Sequence, residues 1–174
     1  MRKIGLLPGL LAALVLAAAC DSSGANQDGP LGSPGNPSQQ CFGGSAPGHA
    51  DTDGIQRFEN IGRHSLVIDR VTLASPRNLR LVGSYIVPGL YLVGAWNSFP
   101  PPASQLDKGV QWARRSRPAG TLVPPRHWID VVVGVARISN AKGSSAGIKV
   151  LYHDSSGSYA LQSRIQIVVR AHCS

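Results

Sequence analysis

Four segments after residue 78 alternate apolar and polar side chains with a period of two. They cover residues 79–87, 129–135, 148–152 and 165–170, and each places Val, Ile, Leu or Tyr at every second position, with Gly83 as the exception. Successive side chains of a β-strand point to opposite faces, whereas a helix repeats every 3.6 residues. The pattern therefore predicts strands, and no segment of similar length after residue 40 has helical periodicity.

Turn and bulge signals connect these strands. The last two segments are separated by His153 to Ser158, which is rich in Asp, Ser and Gly and favours a tight turn. We therefore predict that the two segments form a hairpin. In residues 65–73 the alternation slips near Asp69 and Arg70, which predicts a β-bulge.

Alternating strands joined by short turns are typical of an antiparallel sandwich. Pro100, Pro101 and Pro102 cannot continue an inner strand, so the segment that contains them is predicted to be a loop or a connection between sheets. Residues 41–174 are long enough for one domain with a real core. The predicted fold class is all-β, with one antiparallel sandwich domain over residues 41–174.

Two short segments of this domain resemble a known type of module. The segment Phe58-Glu59-Asn60-Ile61-Gly62, followed by the run from Leu66 to Leu73, resembles the opening strands of immunoglobulin-like modules in bacterial surface proteins. The whole domain is similar to exported actinobacterial lipoproteins of unassigned activity. The resemblance implies an immunoglobulin-like sandwich and implies no chemistry.

The first nineteen residues have the layout of a secretory signal. Arg2 and Lys3 precede an apolar run over residues 4–16, and small residues follow it. The run is shorter than the roughly 20 residues that cross a bilayer. We therefore expect residues 1–19 to be a removable signal peptide.

Cys20 changes the expected fate of this signal. Leu16-Ala17-Ala18-Ala19-Cys20 resembles the lipobox of bacterial lipoproteins, although Leu stands four residues before the cysteine instead of three. The resemblance implies that Cys20 carries fatty chains such as palmitate after cleavage. An ordinary secretory signal is the alternative. Residues 20–40 are rich in Gly, Pro and Ser and predict a flexible tether between lipid and domain.

The two remaining cysteines, Cys41 and Cys173, stand at opposite ends of the domain. A secreted protein lies in an oxidising compartment, where a lone pair of cysteines usually bonds. We therefore predict a disulfide between them; two free thiols or a metal pair remain alternatives. The closed loop would stabilise the fold by about 4–5 kcal/mol in the chain-entropy description.

The chain is basic, with 17 Lys and Arg against 9 Asp and Glu and a formal net charge of +8. The densest group of cations is Arg114, Arg115 and Arg117, next to Trp112. Arginines beside aromatic rings can bind phosphate or carboxylate groups. These four residues are our candidate anion site, and a solvated edge with a core tryptophan is the alternative.

Other constellations carry weaker signals. His49, Asp51 and Asp53 alternate before Gly54 and are candidates for a metal site, with a solvated loop as the alternative. Ser145 lies in a G-x-S-x-G match but between strand-like segments, where a nucleophile elbow is not expected. The acids show no spacing typical of a glycosidase pair.

The sequence therefore predicts a lipid-anchored protein on the extracytoplasmic face of a cell membrane, without cofactor and without catalytic residues. Its expected partners are the membrane, through covalent lipid, and an envelope protein or an anionic polymer; nucleic acid is not expected. A metal- or small-ligand-binding lipoprotein and an unrecognised hydrolase are the alternatives.

Overall fold

A computed structural model of the chain describes residues 29–173. Within these residues it contains twelve strands and two short 3-10 turns, Ala103–Gln105 and Trp112–Arg114. None of the helical segments in this range has the length and apolarity needed to span a membrane. The strands are β1 (Leu31–Gly32), β2 (Ser38–Gly43), β3 (Ala50–Asn60), β4 (Leu66–Leu73), β5 (Leu79–Pro88), β6 (Gly94–Trp96), β7 (Thr121–Val123), β8 (Trp128–Arg137), β9 (Gly143–Ser145), β10 (Ile148–Asp154), β11 (Gly157–Gln162) and β12 (Ile165–Arg170).

The strands form three sheets. The first has the order β1-β3-β8-β5, with β6 also paired to β3; the second is β11-β10-β4-β7, and the third is β2-β12-β9. Paired strands are antiparallel except β2 and β12, which run parallel. One apolar core contains side chains from all three sheets, including Phe42, Val71, Val133 and Ile167. The predicted all-β fold, an antiparallel sandwich around one core, is confirmed.

Strand β8 is covered on both faces. Val131, Val133 and Val135 belong to the main core, while Val132 packs on the opposite face with Val87, Val93 and Trp112. Every residue from Ile129 to Arg137 is buried. A strand covered on both faces needs an almost continuous apolar sequence, which β8 has.

The segment between β5 and β7 supplies the outer cover of the first sheet. Phe99 lies directly on the backbone of Gly134, where an added Cβ would stand only 2.3 Å from the ring. Gly83 pairs with Gly134 across the sheet and also borders the Phe99 ring, at 3.0 Å by the same measure. Two adjacent glycines therefore open the flat surface on which this aromatic side chain packs.

The bulge prediction is confirmed and the hairpin prediction is wrong in its second strand. Leu151 pairs with Arg70 and Tyr152 with Ile68, so Asp69 is the extra residue in β4. The hairpin partner of β10 is β11, whereas β12 belongs to the third sheet. Strand β11 escaped detection because it lies at a sheet edge, where its sequence GSYALQ needs few apolar residues.

The folded domain also begins earlier than the predicted boundary at residue 41. Leu31 pairs with Asn60, is only 2% exposed, and donates its backbone N–H to the Tyr152 hydroxyl at 3.2 Å. Strand β2 starts at Ser38. Main-chain pairing does not require apolar side chains, so a segment with the composition of a tether is incorporated into two sheets. The predicted signal peptide and Cys20 lie outside the described residues.

The predicted disulfide is confirmed. Cys41 on β2 is bonded to Cys173, with the two Cα atoms 6.0 Å apart. The bond links Cys41, within β2, to Cys173, three residues after the end of the parallel partner strand β12, and closes nearly the whole domain into one loop.

Candidate functional site

Two arginines and two aromatic rings form a compact cluster on the outer side of the first sheet. The Arg115 guanidinium lies over the Trp112 ring at 4.7 Å and near the Tyr85 ring at 5.4 Å. The Arg117 guanidinium lies over the same Tyr85 ring at 4.8 Å. Tyr85 meets Trp112 edge-on, with the ring centroids 5.4 Å apart. We call these four residues the arginine–aromatic cluster.

Backbone pairing fixes the position of the cluster. Ser116 exchanges two hydrogen bonds with Ile86 on β5, at 2.9 and 3.0 Å. In this extended pairing the residues on either side of Ser116 project to the same face. Arg115 and Arg117 are therefore both directed to Tyr85, the neighbour of Ile86. Trp112 is held by its own burial, being 8% exposed.

The cluster carries positive charge without carboxylate partners. Within residues 29–173 the ion pairs are His49–Asp51 and His153–Asp69, and neither involves an arginine of the cluster. Arg115 donates one side-chain hydrogen bond, from Nη1 to the Trp112 carbonyl oxygen at 3.0 Å. A guanidinium has five N–H donors, so most of the donors on these two exposed side chains remain available for an anion.

Arg114 does not join the cluster. Its Nη1 donates to Gln111 Oε1 at 2.8 Å, and its side chain lines a separate cavity of about 260 Å³. This cavity opens between the edge strands β5 and β7 of two different sheets. Its lining includes the apolar residues Ile86, Val123 and Ile129, together with Arg114, His127 and Trp128. The structure thus unites three of the four predicted residues and separates the fourth.

Tyr85 is the member that the sequence did not reveal. In the alternating pattern of β5 it reads as one more apolar residue, and it lies 27 positions before Trp112 in the chain. The backbone bridge between Ile86 and Ser116 brings the two segments together. No local sequence signal marks that bridge.

His49, Asp51 and Asp53 do not form the predicted metal site. Asp51 and Asp53 are buried on β3, where Asp51 accepts a hydrogen bond from Ser45 and Asp53 accepts one from Gln56. Burial raises the pKa of Asp51, and it raises the pKa of Asp53 to about 6. His49 lies 4.0 Å from Asp51. No group of three possible metal ligands exists within residues 29–173. The alternative of a solvated loop holds for His49, which is exposed before β3, and is wrong for Asp51 and Asp53.

Ser145 has a structural role. Its hydroxyl is buried, 2.7 Å from the Ala74 carbonyl oxygen and 2.6 Å from that of Gly147. It lies on strand β9, and none of its hydrogen-bond partners in the described chain is a histidine. The hydroxyl therefore connects β9 to the residue that follows β4.

No protein-family profile matches the sequence, and no curated protein does. Among solved structures the chain is similar to the ASH/PapD-like domain of human CEP192 (PapD-like domain 7), at 12% identity and a TM-score of 0.42, over 100% of this chain and 98% of that chain. It is also similar to a mutant of the CFA/I enterotoxigenic E. coli adhesin CfaE, at 10% identity and a TM-score of 0.37. That match covers 83% of this chain and 49% of the adhesin chain, so the protein spans about half of the latter's length.

Proposed function

We propose that this chain is a cell-envelope lipoprotein, anchored through acylated Cys20, whose β-sandwich is a non-catalytic module that binds an anionic envelope polymer through the arginine–aromatic cluster. The observation that carries the proposal is the stacking of two guanidinium groups on one tyrosine ring without a carboxylate partner within residues 29–173.

The stacking prepares the guanidinium groups for an anion. A guanidinium that lies on a ring covers an apolar surface with its flat side and keeps its in-plane N–H groups for phosphate or carboxylate oxygens. Holding the group in place also lowers the entropy that binding would cost. Two such groups on one ring suit a ligand with repeated anionic groups, and the net charge of +8 attracts a polyanion from a distance.

Binding of polyphosphate to the acylated chain in zwitterionic detergent tests the polymer site. Replacing both arginines of the cluster by glutamine, Arg115→Gln with Arg117→Gln, should weaken binding about ten-fold or more per arginine, because each loses charge-assisted hydrogen bonds. The matched control is Arg80→Gln with Arg164→Gln, which removes the same charge from two exposed residues elsewhere. Titration calorimetry at fixed salt measures all three proteins.

The control decides between a site and a general charge effect. Equal losses in the two double variants would show that net charge alone attracts the polymer, and the cluster proposal would fall. Mass spectrometry of the N-terminal peptide tests the anchor separately. We expect a diacylglyceryl group on Cys20 at the start of the mature chain, and an unmodified cysteine would contradict the anchor.

A further inference from the structure

The chain enters the described domain beside Asn60. Leu31 pairs with Asn60, and Ile61 donates its backbone N–H to the Pro30 carbonyl oxygen at 2.9 Å. The covalent connection toward Cys20 therefore leaves the sandwich at the end of β3. We call this part of the molecule the anchor-side end.

The side chain of Asn60 fixes one loop at this end. Asn60 is fully buried, and its Nδ2 donates to the carbonyl oxygens of His64 at 2.8 Å and Val123 at 2.9 Å. Its Oδ1 accepts the backbone N–H of Gly62 at 3.0 Å. Every polar atom of this amide group has a partner, so the loop over residues 61–64 is held in one conformation.

The main chain of Asn60 fixes a second loop. Its carbonyl oxygen accepts the N–H of Arg126 at 2.7 Å, and its N–H donates to the His127 carbonyl oxygen at 3.0 Å. Arg126 has a φ of 63°, in the left-handed region that residues other than glycine seldom adopt. The two hydrogen bonds stabilise this unfavourable conformation, so the position of Arg126 is fixed by its contacts with Asn60.

The two loops present two arginines, two histidines and one large apolar side chain to solvent. Arg63, His64, Arg126 and His127 are exposed, and Ile61 is 55% exposed. We call these five residues the loop surface. The ion pairs within residues 29–173 are His49–Asp51 and His153–Asp69, so none of these five side chains has a carboxylate partner there.

The linker to the anchor is short. Nine Cα–Cα steps separate Cys20 from Gly29, the first described residue. Such a chain spans at most about 32 Å. Electrostatic attraction to a charged surface persists over about 8–10 Å at physiological salt. A lipid at Cys20 thus keeps the anchor-side end within about 32 Å of the membrane surface, so the loop surface meets the headgroups at high effective concentration and enters the zone of their charge by a short approach.

We propose that the loop surface docks on the anionic lipid headgroups of the membrane that holds Cys20. The proposal rests on the lipid anchor of the proposed function. In the docked state Arg63 and Arg126 lie against lipid phosphates, and Ile61 enters the boundary between headgroups and acyl chains. The module is then oriented with the loop surface on the lipid, while the arginine–aromatic cluster, on the outer face of the first sheet, stays open to a polymer.

Amide hydrogen exchange of the acylated chain in vesicles tests this orientation. We expect residues 61–64 and 124–127 to exchange more slowly in vesicles of phosphatidylglycerol and phosphatidylcholine than in pure phosphatidylcholine. Each arginine near an anionic surface contributes about a five-fold preference for the docked state. Arg63→Gln with Arg126→Gln should therefore reduce the docked population ratio about 30-fold, whereas Arg80→Gln with Arg164→Gln should leave it unchanged.

Three outcomes would overturn the docking proposal. They are equal exchange in both kinds of vesicle, equal loss in the two double variants, and slowing by inorganic phosphate in zwitterionic detergent without anionic lipid. The last result would assign the loops to a free anion instead of a lipid surface. Flotation of the same samples measures membrane anchoring independently. Protein that floats but shows no slowing of exchange in the loops would refute the docking proposal and leave the anchor intact. Protein that does not float would refute the acylated anchor.

Discussion

The two ends of the sandwich are fastened by different chemistry. At the anchor-side end a neutral amide, Asn60, holds two loops through hydrogen bonds that use all its polar atoms. At the opposite end the chain is closed by the Cys41–Cys173 disulfide, next to a buried charged network in which Ser45 donates to Asp51 and Arg137 donates to the Ser45 carbonyl oxygen.

The disulfide stabilises the whole domain, whereas the Asn60 amide stabilises one part of it. A disulfide acts chiefly by restricting the unfolded chain, so it stabilises every part of the domain alike. The amide stabilises only the loops it contacts. The charged network is also less complete, because Asp51 Oδ2 and Arg137 Nε lack hydrogen-bond partners among the described residues. The anchor-side end, where every polar atom of the Asn60 amide has a partner, is the end that we propose docks on the membrane. Docking there requires the two loops to keep one conformation.

Removing the disulfide should have the largest effect on stability. With Cys41→Ser and Cys173→Ser the free energy of unfolding should fall by about 4–5 kcal/mol, since a loop of more than 130 residues is released. Urea denaturation followed by tryptophan fluorescence measures the change. Wild-type protein under reductant serves as the control and should match the double variant. A variant that keeps wild-type stability would show that packing alone stabilises the end of the sandwich that carries the disulfide.

Removing the amide should have the next largest effect. Asn60→Ala leaves the buried Val123 carbonyl oxygen and the His64 carbonyl oxygen without their donor, and we expect a loss of about 3 kcal/mol. Amide exchange should accelerate most in residues 61–64. Asn97→Ala, at an exposed asparagine, should change stability by less than about 0.5 kcal/mol. Uniform acceleration over the whole domain would contradict a local clamp.

The sequence predicted those parts of the fold that burial dictates. Strands β5, β8, β10 and β12 have one or two buried faces, and burial imposes the alternating or continuous apolar patterns that were detected. The bulge at Asp69 was detectable because the extra residue shifts the alternation. The disulfide followed from the secretory signal and the cysteine count.

Other parts depend on main-chain pairing and left little trace in the sequence. Strands β1 and β11 pair through backbone groups, which every residue except proline supplies on both sides. The arginine–aromatic cluster was predicted from Trp112, Arg115 and Arg117, but Tyr85 joins it only through the bridge from Ile86 to Ser116. Asn60 had a local signal in its Asn-x-Gly turn, yet its bonds to the second loop come from tertiary structure.

Asp53 lies on β3 between the two ends and gives the smallest predicted effect. Burial raises its pKa from 3.8 to about 6, so the folded state binds its proton more tightly than the unfolded state. Stability from this group is therefore fully present below about pH 3.8 and is lost as the pH rises through about 6. Asp51 and Asp130 are also buried with raised pKa values, and they act in the same direction.

Replacement by asparagine removes the ionisation while keeping the shape. Gln56 donates its Nε2 to Asp53, while its Oε1 lacks a partner among the described residues. When the Gln56 amide turns over, its Oε1 accepts from the amide nitrogen that the substitution introduces at position 53. We expect Asp53→Asn to raise the free energy of unfolding by on the order of 2 kcal/mol at pH 7, with the gain vanishing near pH 4. Urea denaturation between pH 4 and pH 8 measures both values, and Asp107→Asn at an exposed site should leave the pH profile unchanged. An unaltered profile for Asp53→Asn would mean that the carboxyl is charged at no energetic cost inside the sandwich, which its burial and its single side-chain donor argue against.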